Sequence, residues 1–192
     1  MKIAGLILAG GRSTRFGSEK SMALLAGAPL IDHVRRMLIS ECRSVAVSAA
    51  VGSAAQAWAA AQSIPVLNDD LDMASGSLNG IQAGLTWASD LGITHLAVLA
   101  CDTPRLPPSI VDRLVRGIEN APGVVAVDAD GATHTLCSVW QVALRHRLAP
   151  YLRKDRYPPI REIQKELGFA RVQFDTAFTN VNTPDDLRSL EA

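Results

Sequence analysis

The segment Leu8-Ala9-Gly10-Gly11-Arg12-Ser13-Thr14-Arg15-Phe16-Gly17-Ser18-Glu19-Lys20-Ser21 gathers glycines, hydroxyls and cations in one stretch. Glycines let backbone amides come close to an anion, and Arg12, Arg15 and Lys20 supply positive charge, which is the make-up of a phosphate cradle. It is not a P-loop, because Glu19 stands where the glycine before Lys-Ser would be, and no GxGxxG begins at Gly10. A glycine-rich turn with solvated basic residues has the same composition, so both readings stand.

Further along, His95-Leu96-Ala97-Val98-Leu99-Ala100 is an apolar run that ends on Cys101-Asp102-Thr103-Pro104. A carboxylate just past a buried strand is well placed for a ligand-bound Mg²⁺; an aspartate that merely caps the next turn looks the same. Asn68-Asp69-Asp70 repeats the pattern with a solvated loop as its alternative. Ser75-Gly76-Ser77-Leu78-Asn79-Gly80 is a second glycine-rich turn into a helix, where a base or ribose could lie against backbone or where Ser77 could simply cap. Asn180-Val181-Asn182-Thr183-Pro184 offers two amides before a helix start, for capping or for a ligand. Arg153, Lys154, Arg156 and Arg161 surround Tyr157-Pro158-Pro159, a cluster whose default is a solvated face. His33, His95, His134 and His146 share no metal-ligand spacing, and no Ser or Cys sits in a nucleophile arrangement.

These segments need a scaffold that brings strand ends together. Apolar runs at Ile3–Ala9, Ser44–Ala49, Ile64–Leu67, His95–Ala100, Val124–Val127, Thr135–Val139 and Arg171–Phe174 read as strands. Helical spacing covers Pro29–Ile39, Ala54–Ala61, Leu78–Ala88, a helix through Ile110, Leu114 and Ile118, Val142–Leu152, Ile160–Leu167 and a last helix from Thr183. The alternation predicts an α/β chain: a mostly parallel, partly mixed sheet covered on both faces, with a hairpin about Asp128-Ala129-Asp130-Gly131. Ligands in such sheets bind beyond the carboxyl ends of the strands, where strand order reverses.

The chain has 192 residues, 48% hydrophobic and 20% charged, and Lys plus Arg equal Asp plus Glu at 19 each. This composition suits one globular domain over residues 1–192 and excludes a disordered tail. Zero net charge argues against wholesale nucleic-acid or membrane binding, although a local basic site can still hold phosphate. The Ile3–Ala9 run is too short to span a bilayer. Three cysteines with no CxxC spacing point to reduced thiols and a cytoplasmic protein.

Taken together, LAGGRSTRFGSEK, VLNDD, GSLNGI, LACDTPRLP and FTNVNTPDDL resemble the MobA-like nucleotidyltransferase family, which includes the molybdenum cofactor guanylyltransferases. The resemblance spans essentially the whole chain and implies a Rossmann-like three-layer α/β/α nucleotide-binding fold. It also implies Mg²⁺-dependent transfer of GMP from GTP to the terminal phosphate of molybdopterin or Mo-molybdopterin, with release of pyrophosphate. On that resemblance Leu8, Ala9, Gly10, Gly11, Asp69, Gly76 and Gly80 contact the nucleotide, and Lys20 and Arg15 act on its phosphates. Asp102 holds the metal, and Asn180, Asn182 and Arg156 face the acceptor. A protein partner that delivers or receives the cofactor is compatible with it. The chain departs from the family at Ala49-Ala50, where relatives carry Asn, at Ser77 in place of Pro, at Phe16 in place of Met and at Glu19 in place of Asp; the departures bear chiefly on base and ribose recognition. The alternatives are a cytidylyltransferase, another small nucleotidyltransferase with a phosphorylated acceptor, or a catalytically silent nucleotide or pterin carrier. Retention of Lys20 and Asp102 counts against the carrier.

Overall fold

The computed structural model describes residues 1–10, 16, 19–68, 76–152 and 158–191. Its strands are β1 (Ile3–Leu8), β2 (Leu24–Leu25), β3 (Ala28–Pro29), β4 (Ser44–Ser48), β5 (Val66–Leu67), β6 (His95–Ala100), β7 (Gly123–Val127), β8 (Thr133–Gln141) and β9 (Ala170–Gln173). The helices are α1 (Leu30–Glu41), α2 (Ala54–Ala61), α3 (Ser77–Asp90), α4 (Ile110–Arg116), α5 (Ile160–Leu167) and α6 (Pro184–Glu191).

Seven strands form one sheet in the order β5-β4-β1-β6-β8-β7-β9. Among the described residues β8 alone runs against its neighbours, pairing antiparallel with both β6 and β7, while β9 returns parallel to β7. The sheet is therefore mostly parallel with one reversed strand, as the alternation of elements requires.

Period-two side-chain alternation divides the core between the two faces. In β1, Ile7 faces the cluster built on Ile31, Val34 and Leu38 of α1 and Leu114 of α4. Leu6 and Leu8 face the other, built on Ile81 and Leu85 of α3 and Ile163 of α5. In β6, Ala97 and Leu99 go one way, Leu96 and Val98 the other. Burial on both faces makes this an α/β/α sandwich of the Rossmann-like kind. Among the described residues no helix is long and apolar enough to cross a membrane.

One local expectation is corrected. The stretch Val142–Leu152 is not one α-helix but two 3-10 turns, Val142–His146 and Ala149–Tyr151. Pro150 in the second has no N–H to continue an α-helical ladder, and its ring clashes with the preceding turn. Between the first strand and α1 the chain also forms a small hairpin, β2–β3, whose turn residues Ala26 and Gly27 both have positive φ, 49° and 79°. Two left-handed residues are what a tight two-residue hairpin turn demands, and glycine meets that demand without strain at the second.

Candidate active site

Strand order reverses between β1 and β6: β4 and β5 continue from one side of β1, and β6 begins the other side. Leu8 is in register with both Ser48 and Ala100, so three strands end together. The Ala9 N–H donates to the Ser48 carbonyl at 2.9 Å and the Cys101 N–H to the Leu8 carbonyl at 3.2 Å, which carries the pairing just past the strand ends. Leu8 and Ala9 and the Cys101-Asp102 corner are thereby neighbours.

Lys20 reaches across that corner. Its Nζ lies 3.2 Å from Asp102 Oδ2 and donates at 3.3 Å to Asn182 Oδ1. Thr103 Oγ1 donates toward Asp102 Oδ1 at 3.3 Å and toward Asn180 Oδ1 at 3.1 Å. Asp102, Lys20, Asn180 and Asn182, separated by up to 162 positions in sequence, thus meet at one point.

The C-terminal segment is held there by its backbone and its apolar residue. Val181 N–H donates to the Asp102 carbonyl at 2.7 Å, and the buried Val181 side chain joins Leu25 and Leu30. Phe16, Leu187 and Leu190 pack against the same cluster, so the β2–β3 hairpin and α6 clamp the segment from either side. With Val181 turned inward, the flanking amides are left for Thr103 and Lys20. Capping of α6 falls to Thr183 rather than Asn182: Thr183 Oγ1 accepts from the Asp186 N–H at 3.2 Å, and Asp186 Oδ2 accepts from the Thr183 N–H at 2.8 Å. This reciprocal pair is a capping box with Asp in the acidic position. Asp186 Oδ2 also accepts from the Asn182 N–H at 2.8 Å, and the hydrogen bonds from Asn182 and Thr183 hold its carboxyl below the ordinary carboxylate value.

Glu19, whose role could not be read from the sequence, is tied to α2. Its Oε2 accepts from the Ala54 N–H at 2.7 Å and its Oε1 from the Ala55 N–H at 2.8 Å and the Ser21 hydroxyl at 3.2 Å. These are amides that a helix start leaves unpaired, so the carboxylate satisfies them and meets the positive end of the helix dipole. Ser53 caps the same helix by accepting from the Gln56 N–H. Lys20, next in sequence, is thereby fixed at the root of the loop.

On the far side of β1, Gly76 has φ 135° and precedes α3, which begins at Ser77 with no side-chain cap. A Cβ at Gly80 would run into Ser48 Oγ and lie 3.0 Å from Leu8 Cδ2, so α3 starts directly over the ends of β1 and β4. Leu8 is buried, Ala9 half-buried and Gly10 exposed at this edge. Gly11, Arg15, Asp69 and Arg156 lie outside the described residues. The thiols supply no nucleophile: burial pushes Cys42 up to about 12 and raises buried Cys101 and Cys137 further.

The donors around Asp102 are oxygens, from one carboxylate, two amides and the Thr103 hydroxyl, and the Lys20 ammonium already occupies the cationic position beside them. Magnesium is typically held by one or two carboxylates, with substrate phosphates and water filling the other positions. The set fits that ion. Among the described residues no cluster of three or more His, Cys, Asp or Glu forms a self-sufficient metal cage.

Residues 5–171 match the MobA-like NTP transferase domain. The chain belongs to the MobA-like NTP transferase family. It is accordingly a nucleotidyltransferase, and the family match takes in Lys20 and Asp102, with Asn180 and Asn182 beyond it. MobA-like relatives include the molybdenum cofactor guanylyltransferase of Rhizobium leguminosarum bv. trifolii, 33% identical over 99% of this chain and 92% of the relative. That of Rhodobacter capsulatus is 36% identical over 100% of this chain and 96% of the relative. In fold, the chain is similar to molybdopterin-guanine dinucleotide biosynthesis protein A from Archaeoglobus fulgidus, with TM-score 0.74 at 23% identity, covering 100% of this chain and 97% of that one.

Proposed function

We propose that this nucleotidyltransferase transfers GMP from GTP to the terminal phosphate of molybdopterin, forming the guanine dinucleotide and releasing pyrophosphate. The observation that carries the reading is the convergence of Lys20, Asp102 and Asn182 at the point where strand order reverses. The names of the full-length relatives support guanine as the base and the molybdenum cofactor as the product's class.

In this reading an oxygen of the acceptor phosphate attacks the α-phosphorus of GTP, and the bond from that phosphorus to the bridging oxygen of the β-phosphate breaks. The acceptor is anionic at neutral pH, so no general base is needed; the difficulty is bringing like charges together in line. Lys20 leaves its Asp102 and Asn182 partners to meet the phosphates and steady the pyrophosphate as it leaves. Asp102 and the nearby amide oxygens would hold Mg²⁺, which when bound neutralises charge on the triphosphate. The main-chain edge at Leu8, Ala9 and Gly10, with Gly76 and Gly80 opposite, lies on the nucleotide side; Gly11, Arg15 and Asp69 are assigned there by resemblance alone. Asn180, and Arg156 by resemblance, lie on the acceptor side.

Side-by-side turnover of GTP, CTP and ATP with molybdopterin and Mg²⁺ tests the base assignment. GTP is expected to be used well ahead of the others, and a preference for CTP would overturn it.

A further inference from the structure

The strand β8 changes character as it passes the end of β6. Against β7, Val125 pairs with Ser138 but the next residue, Ala126, pairs with His134, so Thr135, Leu136 and Cys137 have no partners in β7. Against β6, pairing runs from His95–Gln141 to Val98–Ser138 and then stops, leaving Leu99 and Ala100 without β8 partners. Bulges of this kind bend a strand and re-aim its side chains, and they concentrate next to active sites. Here the bulge is braced from behind: buried Gln164 on α5 donates through Nε2 to the Thr135 carbonyl at 2.9 Å.

Between the bulge and the Asp102 corner lies a cavity of about 150 Å³, lined among others by Asp102, Thr133, His134, Thr135 and Asn180. Strand order puts its β8 wall on the opposite side of β6 from β1, β4 and the Gly76–Gly80 turn, while Asp102 and Thr103 are shared with the corner where the phosphates would meet. Its described lining has hydroxyls, an imidazole, an amide and the Asp102 carboxylate, which together offer acceptors to the N–H groups of a hydrogen-bonding ring. The volume is well under the ~300 Å³ at which pockets for drug-sized ligands begin and matches one ring system.

His134 is oriented in advance. Its Nε2 is 2.8 Å from Asp128 Oδ2, and its ring lies 4.8 Å from that of Phe178. Asp128, only 3% exposed, also accepts from the Asp130 and Ala132 N–H groups at 3.0 and 2.9 Å and from Phe178 N–H at 3.4 Å. With Nε2–H given to the carboxylate, Nδ1 of the neutral ring is an acceptor, and it has no partner among the described residues. We propose that the β8 bulge forms the site for the nitrogen heterocycle of the acceptor, with His134 Nδ1 accepting from a ring or amino N–H and Asp128 acting as the positioning residue behind it.

This inference rests on the proposed acceptor being a pterin, and the test separates the two. In the full-length protein, His134→Gln keeps an amide where Nε2 meets Asp128 but removes the group at Nδ1. The KM for molybdopterin should rise about fivefold to tenfold, the scale of one lost hydrogen bond. The KM for GTP and the thermal midpoint should stay close to those of the parent. Thr135→Val removes a hydroxyl from the same wall with little change of shape and should raise only the molybdopterin KM, which keeps the test decisive if the His134 variant folds poorly. An unchanged molybdopterin KM in both variants, with the parent active, overturns the heterocycle site alone. A parent protein that makes no dinucleotide from molybdopterin overturns the proposed acceptor and this inference together.

Discussion

Replacing Lys20 by Ala should separate catalysis from stability by a wide margin. The Lys20–Asp102 pair is 3.2 Å apart, with 20% and 29% of the two side chains exposed. A pair so open to water contributes at most about 1 kcal/mol to folding, and Asp102 can be rehydrated once the ammonium is gone. For a domain of this size that corresponds to a midpoint shift of no more than roughly 2–4 °C. In the proposed mechanism the same ammonium meets charge developing on the departing pyrophosphate. Removing one such preorganised donor costs on the order of 100-fold to 1,000-fold in kcat, or about 3–4 kcal/mol. Pyrophosphate release at varied GTP gives kcat and KM, and calorimetry gives the midpoint. The expected result is a kcat loss in that range, a small change in KM for GTP and a nearly unchanged midpoint. A kcat loss below about tenfold, roughly 1.4 kcal/mol, would refute the assignment; a collapse of the midpoint would show that Lys20 is structural.

Other perturbations test separate parts of the site. Asp102→Asn should abolish Mg²⁺-dependent turnover while preserving the fold, because an amide keeps the shape but not the charge; near-normal pyrophosphate release would remove Asp102 from the mechanism. Glu19→Gln leaves one oxygen where two now serve Ala54, Ala55 and Ser21, and should cost about 1–2 kcal/mol in denaturant titration; no loss would show that the tether carries no energy. The Asp128 carboxyl is held below its ordinary 3.8, first by the His134 hydrogen bond, against burial, which acts to raise it, and with help from the Ala132 and Phe178 amides. A depressed carboxyl stabilises the fold above 3.8 and loses that contribution as pH falls through its lower native value. The midpoint difference between the parent and Asp128→Asn should therefore be largest at neutral pH and shrink in acid; a gap that widens on acidification would contradict the reasoning.

Much of the scaffold is legible in the sequence because local periodicity and burial agree. His95–Ala100, Ala54–Ala61 and Ile160–Leu167 form elements with those boundaries. The β2–β3 hairpin is not legible, since Ala26 at a left-handed position gives no turn signal and the strands are two residues each. Lys20, Asp102, Asn180 and Asn182 stand out as motif residues, but their meeting depends on strand order and on Val181 burying itself beside Leu25. Glu19 reads as one more loop charge because its partners lie more than thirty positions away. The β8 bulge is hidden for a similar reason: Thr133–Gln141 has no glycine or proline to mark it, and the brace, Gln164, belongs to another element.

The central claim is nucleotidyl rather than phosphoryl transfer, and the fate of the two ends of GTP decides it. The purified protein, Mg²⁺ and molybdopterin would be incubated in parallel with GTP labelled at the α-phosphorus and GTP labelled at the γ-phosphorus. The account predicts that the α label moves into a pterin dinucleotide while the γ label appears in pyrophosphate, in equal amounts, and that Lys20→Ala and Asp102→Asn suppress both. Label transferred from the γ position to the acceptor, or GTP consumed to free GMP or GDP with no labelled pterin product, would contradict it.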